Sequence, residues 1–168
     1  MTHKQKNQTV AERGMQLADL AATAALAARL GPMLRPGDVV ALFGGLGAGK
    51  TTFARALIQG LQAPLGCVEE VPSPTFSLVQ HYQIGALDLW HFDLYRLSGP
   101  DETHELGMEE AFAEGVSLIE WPERLQTRMP KDRLEIYFEF PADAGIEEHR
   151  RRVRLAGHGE WAARMRNV

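Results

Sequence analysis

Gly44-Gly45-Leu46-Gly47-Ala48-Gly49-Lys50-Thr51 is the stretch from which the fold is read. It satisfies the P-loop pattern G-x-x-x-x-G-K-[ST] at every fixed position. Ahead of it, Val39-Val40-Ala41-Leu42-Phe43 is a short continuous apolar run, as in a strand buried on both faces. Behind it, Lys50 to Leu61 shows helical spacing, with Phe53, Leu57 and Leu61 on one stripe. A glycine-rich loop between strand and helix lets the backbone N–H groups of Gly45, Leu46, Gly47, Ala48 and Gly49 curl around an anion. The positive end of the following helix dipole points at the same anion. In that frame the Lys50 ammonium reaches the β and γ phosphates of a nucleotide, and the Thr51 hydroxyl ligates magnesium. Thr52 either touches the α-phosphate or simply starts the helix.

Working outward, Asp19 is a candidate N-cap for an alanine-rich helix from Ala21 to Leu30, which Gly31-Pro32 ends. Residues 62–75 form a loop rich in proline, glycine and charge. Phe76 to Ile84 and Ala86 to Phe92 flank Gly85 and read as two strands joined by a tight turn. Asp101 to Glu114 is acidic and helix-prone, and serves either as a solvated face or as a docking surface. Val116 to Ile119 is a second buried-strand candidate. Pro122 suits the first turn of a short helix reaching Met129. Leu134 to Phe140 and Arg151 to Leu155 are two final strands. The expected fold is α/β: a single P-loop NTPase domain with a mixed central sheet flanked by helices. Its expected limits are 19–158, between a partly flexible N-terminus at 1–18 and a C-terminal tail at 159–168.

The bulk properties narrow the function. A chain of 168 residues favours one domain with a substantial core. With 45% hydrophobic and 24% charged residues it is an ordinary globular composition. A net charge of −4 argues against a free-standing nucleic-acid binder, which needs a basic field. The single cysteine, Cys67, forms no internal disulfide, which fits a reducing cytoplasm. No apolar run is long enough to span a bilayer.

A P-loop site also needs a carboxylate to hold the magnesium shell and order water. Two acids end apolar strands: Asp93 and Glu120. Sequence alone leaves open which lies nearer the metal. His91 is a general base, a ligand or a structural residue. Tyr95-Arg96 offers a cation to phosphate or to a partner, or a surface salt bridge. Trp121 either reports on the site or packs the core. Arg150, Arg152 and Arg154 alternate onto one strand face, as a charged edge or as a contact for a partner or tRNA.

Taken in order, these residues resemble the bacterial TsaE family. The resemblance rests on Gly47-Ala48-Gly49-Lys50-Thr51-Thr52-Phe53, Ser73-Pro74-Thr75-Phe76, His91-Phe92-Asp93-Leu94-Tyr95-Arg96-Leu97, Glu105-Leu106-Gly107 and Ile119-Glu120-Trp121-Pro122-Glu123-Arg124. It extends from about Ala21 to Leu155. The resemblance implies a P-loop ATPase that binds ATP with Mg2+ and hydrolyses it slowly. It implies action with TsaB and TsaD in tRNA threonylcarbamoyladenosine modification, with tRNA met only through the complex. Residue by residue, it makes Ser73 and Thr75 the switch-like loop, Asp93 the acid of the histidine-aspartate motif, and Glu120 the Walker-B-like acid. Lys50, Glu120 and Asp93 are then the catalytic set, and Thr51, Asp93 and Glu120 the metal set. One position departs from the family: Gly45 stands where an aspartate is usual.

Two rival functions use the same loop. A small-molecule kinase would close Arg124, Arg128 and Arg133 as a lid over the phosphates. A non-catalytic adaptor would use bound nucleotide only to shape a surface. A GTPase is disfavoured, because Pro130-Lys131-Asp132 does not supply the guanine signature.

Overall fold

Seven strands form one mixed sheet in the computed structural model, which describes residues 10–143 and 149–168. The strands are β1 (Val10–Leu17), β2 (Val39–Phe43), β3 (Val79–Ile84), β4 (Leu87–Asp93), β5 (Val116–Glu120), β6 (Arg133–Glu139) and β7 (Arg151–His158). Their spatial order is β1-β7-β6-β2-β5-β4-β3. At the centre, β2 runs parallel to β5 and β6, and β4 parallel to β5. The β3–β4 hairpin turns at Gly85, whose φ of 61° suits a residue without Cβ. Antiparallel β7 and β1 complete the far side. The mixed α/β domain expected from the sequence is the one observed.

The helices are α1 (Leu20–Leu30), α2 (Lys50–Gln62), α3 (Met108–Glu114) and α4 (Glu160–Arg164). Asp19 caps α1 as expected, its Oδ1 accepting from the Ala22 N–H at 2.8 Å. One face of the sheet packs on α1, α2 and α4 through Leu26, Leu30, Phe53, Leu57, Ile58 and Trp161. The other carries a smaller core around Phe92, Leu94, Met108, Ala111, Ile119 and Leu125. Among the described residues no helix is long and apolar enough to cross a membrane.

Three local readings change. Residues 10–17, expected within a loose N-terminus, form β1, an antiparallel partner to all of β7. Mixed polar and apolar side chains suit an edge strand with one face on the core, and Leu17 is buried there. The rest of that expected segment, 1–9, lies outside the described residues. The expected tail at 159–168 contains α4, and its Trp161 is buried in the main core. The helix expected across 101–114 is split: a 3-10 segment spans Pro100–Leu106, and α3 begins only after Gly107, at φ 73°. Its six acids are all exposed, as a solvated face requires.

Arg164 clips α4 to the turn before β2. Its guanidinium forks onto both Asp38 oxygens at 2.7 and 2.8 Å, donates to the Met33 carbonyl, and lies over the Trp161 ring. Both partners are about one-tenth exposed: 12% and 11%. Removing one leaves the other charge under-paired in a desolvated place. Arg164→Ala is expected to cost roughly 3 kcal/mol of unfolding free energy in urea titration. A loss below about 1 kcal/mol would class the pair with ordinary surface bridges.

A second polar cluster gives a pH signature. Burial alone would raise the Glu135 carboxyl, but hydrogen bonds from His158, Tyr137 and Arg133, with the Arg133 charge, hold it below its ordinary value of 4.5. A depressed carboxylate stabilises the fold above its unfolded pKa and loses that contribution as pH falls through the folded value. The stability gap between wild type and Glu135→Gln should therefore be full at neutral pH and shrink below pH 4.5. A gap that grows on acidification would contradict this assignment.

Candidate nucleotide site

The site sits where the carboxyl ends of β2, β5 and β4 meet, as the topology of a parallel sheet dictates. Strand alternation puts Val116, Leu118 and Glu120 of β5 on the α2 face, beside Leu89, His91 and Asp93 of β4. Asp93 and Glu120 are direct register partners at the two strand ends. The loop from β2 into α2 arches over them.

The loop conformation explains its glycines. Gly44, Gly47 and Gly49 have φ of 144°, 72° and 111°. A Cβ on Gly44 would come within 2.7 Å of the Phe138 carbonyl oxygen, so that position is closed to larger residues. Gly45 is different: a Cβ there meets nothing within 4 Å. A Cβ at 45 is thus sterically free, unlike one at 44.

Lys50 is 4% exposed and folds back under the loop. Its Nζ donates to the Gly44 and Gly45 carbonyls at 2.6 and 2.8 Å and lies 4.2 Å from the Trp121 ring centre. Burial lowers its pKa, while Glu120, Glu123 and Asp93 oppose the shift. Thr51 Oγ1 lies 2.9 and 2.8 Å from the two carboxylate oxygens of Glu120, which is 2% exposed. Glu120 Oε1 also meets His91 Nε2 at 2.8 Å. An ionised carboxylate only accepts, which places the imidazole proton on Nε2. His91 is fully buried, and its Nδ1 has no hydrogen-bond partner among the described residues.

Asp93 is held differently. Thr75 Oγ1 donates to its Oδ2 at 3.1 Å, and the Tyr95 N–H to its Oδ1 at 3.0 Å. Ser73 Oγ reaches Thr75 Oγ1 at 2.7 Å. The loop bearing these hydroxyls is tied in at Leu78, whose N–H bonds Pro74 and whose carbonyl accepts from the Asp93 N–H. Leu78 and Trp121 both take positive φ, 66° and 57°, rare for residues with a Cβ and costly unless the surroundings enforce it. Both flank the site.

A cavity of about 410 Å³ opens over this arrangement, lined by Leu46 to Thr52 together with Thr75, Asp93, Glu120 and Trp121. Thr52 thus borders the cavity as well as starting α2. Ser73 does not line it and is linked through Thr75. Glu120 bonds Thr51 directly, whereas Asp93 reaches the site from the Thr75 side. Trp121 combines the two sequence alternatives: its ring faces Lys50 and Tyr95 and packs on the smaller core. Arg96 lies over the Phe76 ring instead of the cavity.

The donor set suits a hard divalent cation with a nucleotide. Among the described residues no three His, Cys, Asp or Glu side chains converge into a protein-only metal cage. Magnesium beside phosphates takes one or two protein oxygens and keeps its waters, and the Thr51 hydroxyl backed by Glu120 is such a set.

Two expectations are corrected. β7 lies between β1 and β6, so the Arg152 and Arg154 strand is no edge. Arg154 instead stacks on Tyr137 and bonds Glu12. The arginine lid is also absent. Arg128 bonds Thr103 and Asp101, Arg133 bonds Glu135 and nearby carbonyls, and neither these nor Arg124 borders the cavity. The sequence reading missed Arg151, which does border it and donates to the Ala48 and Gly47 carbonyls at 2.9 and 3.0 Å. A signal was present: Arg151 shares the apolar strand face of Val153 and Leu155, an unusual place for a charge.

Comparison with known proteins agrees with this architecture. Residues 17–151 match the family model described as threonylcarbamoyl adenosine biosynthesis protein TsaE. A Bacillus subtilis protein described as tRNA threonylcarbamoyladenosine biosynthesis protein TsaE is 40% identical over 122 residues, 72% of this chain and 73% of its own length. A Treponema pallidum protein of the same description is 40% identical over 119 residues, 70% of this chain and 84% of its own length. A crystal structure of Bacillus subtilis YdiB superposes with a TM-score of 0.68 at 30% identity, covering 90% of this chain and 88% of that one.

Proposed function

The chain belongs to the TsaE family of threonylcarbamoyl adenosine biosynthesis proteins, and from that premise we propose that it is a magnesium-dependent ATPase supporting tRNA threonylcarbamoyladenosine formation. TsaB and TsaD are its proposed partners, and tRNA is met through the complex they form. The setting is the cytoplasm. The observation that carries the reading is the junction of Lys50, Thr51 and Glu120 beneath a glycine loop of P-loop form.

The geometry supports the following roles. The amides of Gly45 to Gly49 and the start of α2 bind phosphate oxygens. Lys50 exchanges its Gly44 and Gly45 carbonyls for β and γ phosphate oxygens, whose negative charge favours the ammonium that burial disfavours. Thr51, backed by Glu120, would hold the magnesium, and the Glu120 carboxylate would accept a hydrogen bond from the attacking water and orient it. Magnesium, when bound, neutralises charge developing on the transferred phosphoryl group. Asp93 completes the acidic floor and holds Thr75 at the γ-phosphate side. Release of Thr75 after hydrolysis would free the Ser73–Thr75 loop to change shape, the ordering switch seen where a γ-phosphate holds a segment.

The test is turnover. With TsaB, TsaD, tRNA and a threonylcarbamoyl donor, wild-type chain plus ATP should give many modified tRNAs per TsaD. A non-hydrolysable ATP analogue should hold the yield near one. Equal yields with and without this chain would remove the proposed role.

A further inference from the structure

Arg151 reaches the backbone carbonyls of the phosphate loop from β7. It opens β7, which runs antiparallel to β6, and β6 lies parallel to β2. That topology sets the first residue of β7 beside the carboxyl ends of β2 and β6, next to the loop. The guanidinium donates from Nε to the Ala48 carbonyl at 2.9 Å and from Nη2 to the Gly47 carbonyl at 3.0 Å. Nη1 donates to its neighbour Arg150 at 2.8 Å, and the group lies 4.5 Å from the Phe140 ring centre. The fork is therefore held in one plane by several contacts.

The two carbonyls it grips are informative. A trans peptide is planar, so the N–H of the next residue points opposite to the carbonyl. Holding the Ala48 carbonyl orients the Gly49 N–H to the opposite side of the loop, while the Gly47 carbonyl is held against the turn in which the Ala48 N–H donates to the Gly45 carbonyl at 3.2 Å. Gly47 and Gly49 sit at φ of 72° and 111°, and without a Cβ their backbones have other accessible conformations. A loop so rich in glycine needs an external restraint to hold its amides convergent before any anion arrives. A cation on the carbonyl side also polarises both peptides and strengthens their N–H groups as donors.

We propose that Arg151 is a positioning residue for phosphate binding, which holds the Gly47 and Ala48 carbonyls and so presets the Gly49 amide and the turn at Gly45–Ala48. The inference rests on the nucleotide reading above. It assigns Arg151 no contact with the reacting atoms.

The experiment is calorimetric titration of the full chain with Mg-ATP and Mg-ADP, for wild type, Arg151→Ala, Arg151→Gln and Arg151→Lys. Thermal midpoints are recorded without nucleotide. Arg151→Ala should weaken both nucleotides by roughly 10- to 100-fold, the size expected for losing charge-assisted bonds that hold the amides. Arg151→Gln should do the same. Arg151→Lys, a point charge without the fork, should recover part of the affinity. A merely structural role would lower the midpoint and leave the dissociation constants of the folded protein unchanged, and that result overturns the proposal. Should Arg151→Ala not fold, the Gln and Lys variants decide by the same measure. Absence of ATP binding by the wild type would instead overturn the nucleotide reading, and this inference with it.

Discussion

Lys50→Ala is expected to weaken ATP binding by at least roughly 100-fold, since it removes the buried cation proposed to meet the phosphate oxygens. The side chain is 4% exposed and already stands on the loop, held by the Gly44 and Gly45 carbonyls. Its pKa is lowered by burial and opposed by Glu120, Glu123 and Asp93, so nearby acids sustain its charge. Phosphates would add to that field. The alanine variant loses the ammonium and its hydrogen bonds to the Gly44 and Gly45 carbonyls. Calorimetry against Mg-ATP, with circular dichroism to confirm the fold, checks the expectation. An unchanged affinity would show that the cavity over Lys50 is not a phosphate site.

Glu120→Gln separates binding from hydrolysis. The carboxylate is buried, accepts from Thr51 and His91, and ends β5 at the cavity floor. Glutamine keeps the shape but removes the charge proposed to orient water and support the metal shell. Hydrolysis should fall by about 10²- to 10⁴-fold, the range for a displaced general base or water-positioning group. ATP affinity should change only severalfold. The same variant distinguishes two modes of action in the reconstituted modification reaction. An adaptor that needs only bound nucleotide would still support repeated turnover with Glu120→Gln. An ATPase whose hydrolysis resets the complex would not.

Much of this site was legible because a P-loop is local. The glycines, Lys50 and Thr51 lie within eight residues, and a strand before and a helix after are enough to place them. The two acids were legible as strand ends, because a parallel sheet gathers the carboxyl ends of its strands on one side. Their order was not. Only the register that pairs Asp93 with Glu120, and the rotamers that put Glu120 on Thr51, separate the direct partner from the indirect one. His91 was ambiguous for the same reason: its bond to Glu120 spans two strands. β1 was overlooked because Val10 to Leu17 mixes charge and small residues, and its pairing with β7 links residues more than 130 apart in sequence. The acidic helix was overextended because Gly107, readable as an ordinary helix glycine, takes φ 73° and divides the segment. Arg151 was hidden by its neighbours. The alternation of Arg150, Arg152 and Arg154 drew the reading to the opposite strand face, and the loop that Arg151 touches lies about a hundred residues away in the chain.

The central claim is most directly tested by steady-state ATP hydrolysis, with the chain alone and with purified TsaB and TsaD, in the presence and absence of substrate tRNA. Low activity alone, raised by the two partners and lost in Lys50→Ala, is the predicted result. A rate that the partners leave unchanged, or one that survives Lys50→Ala, would contradict it.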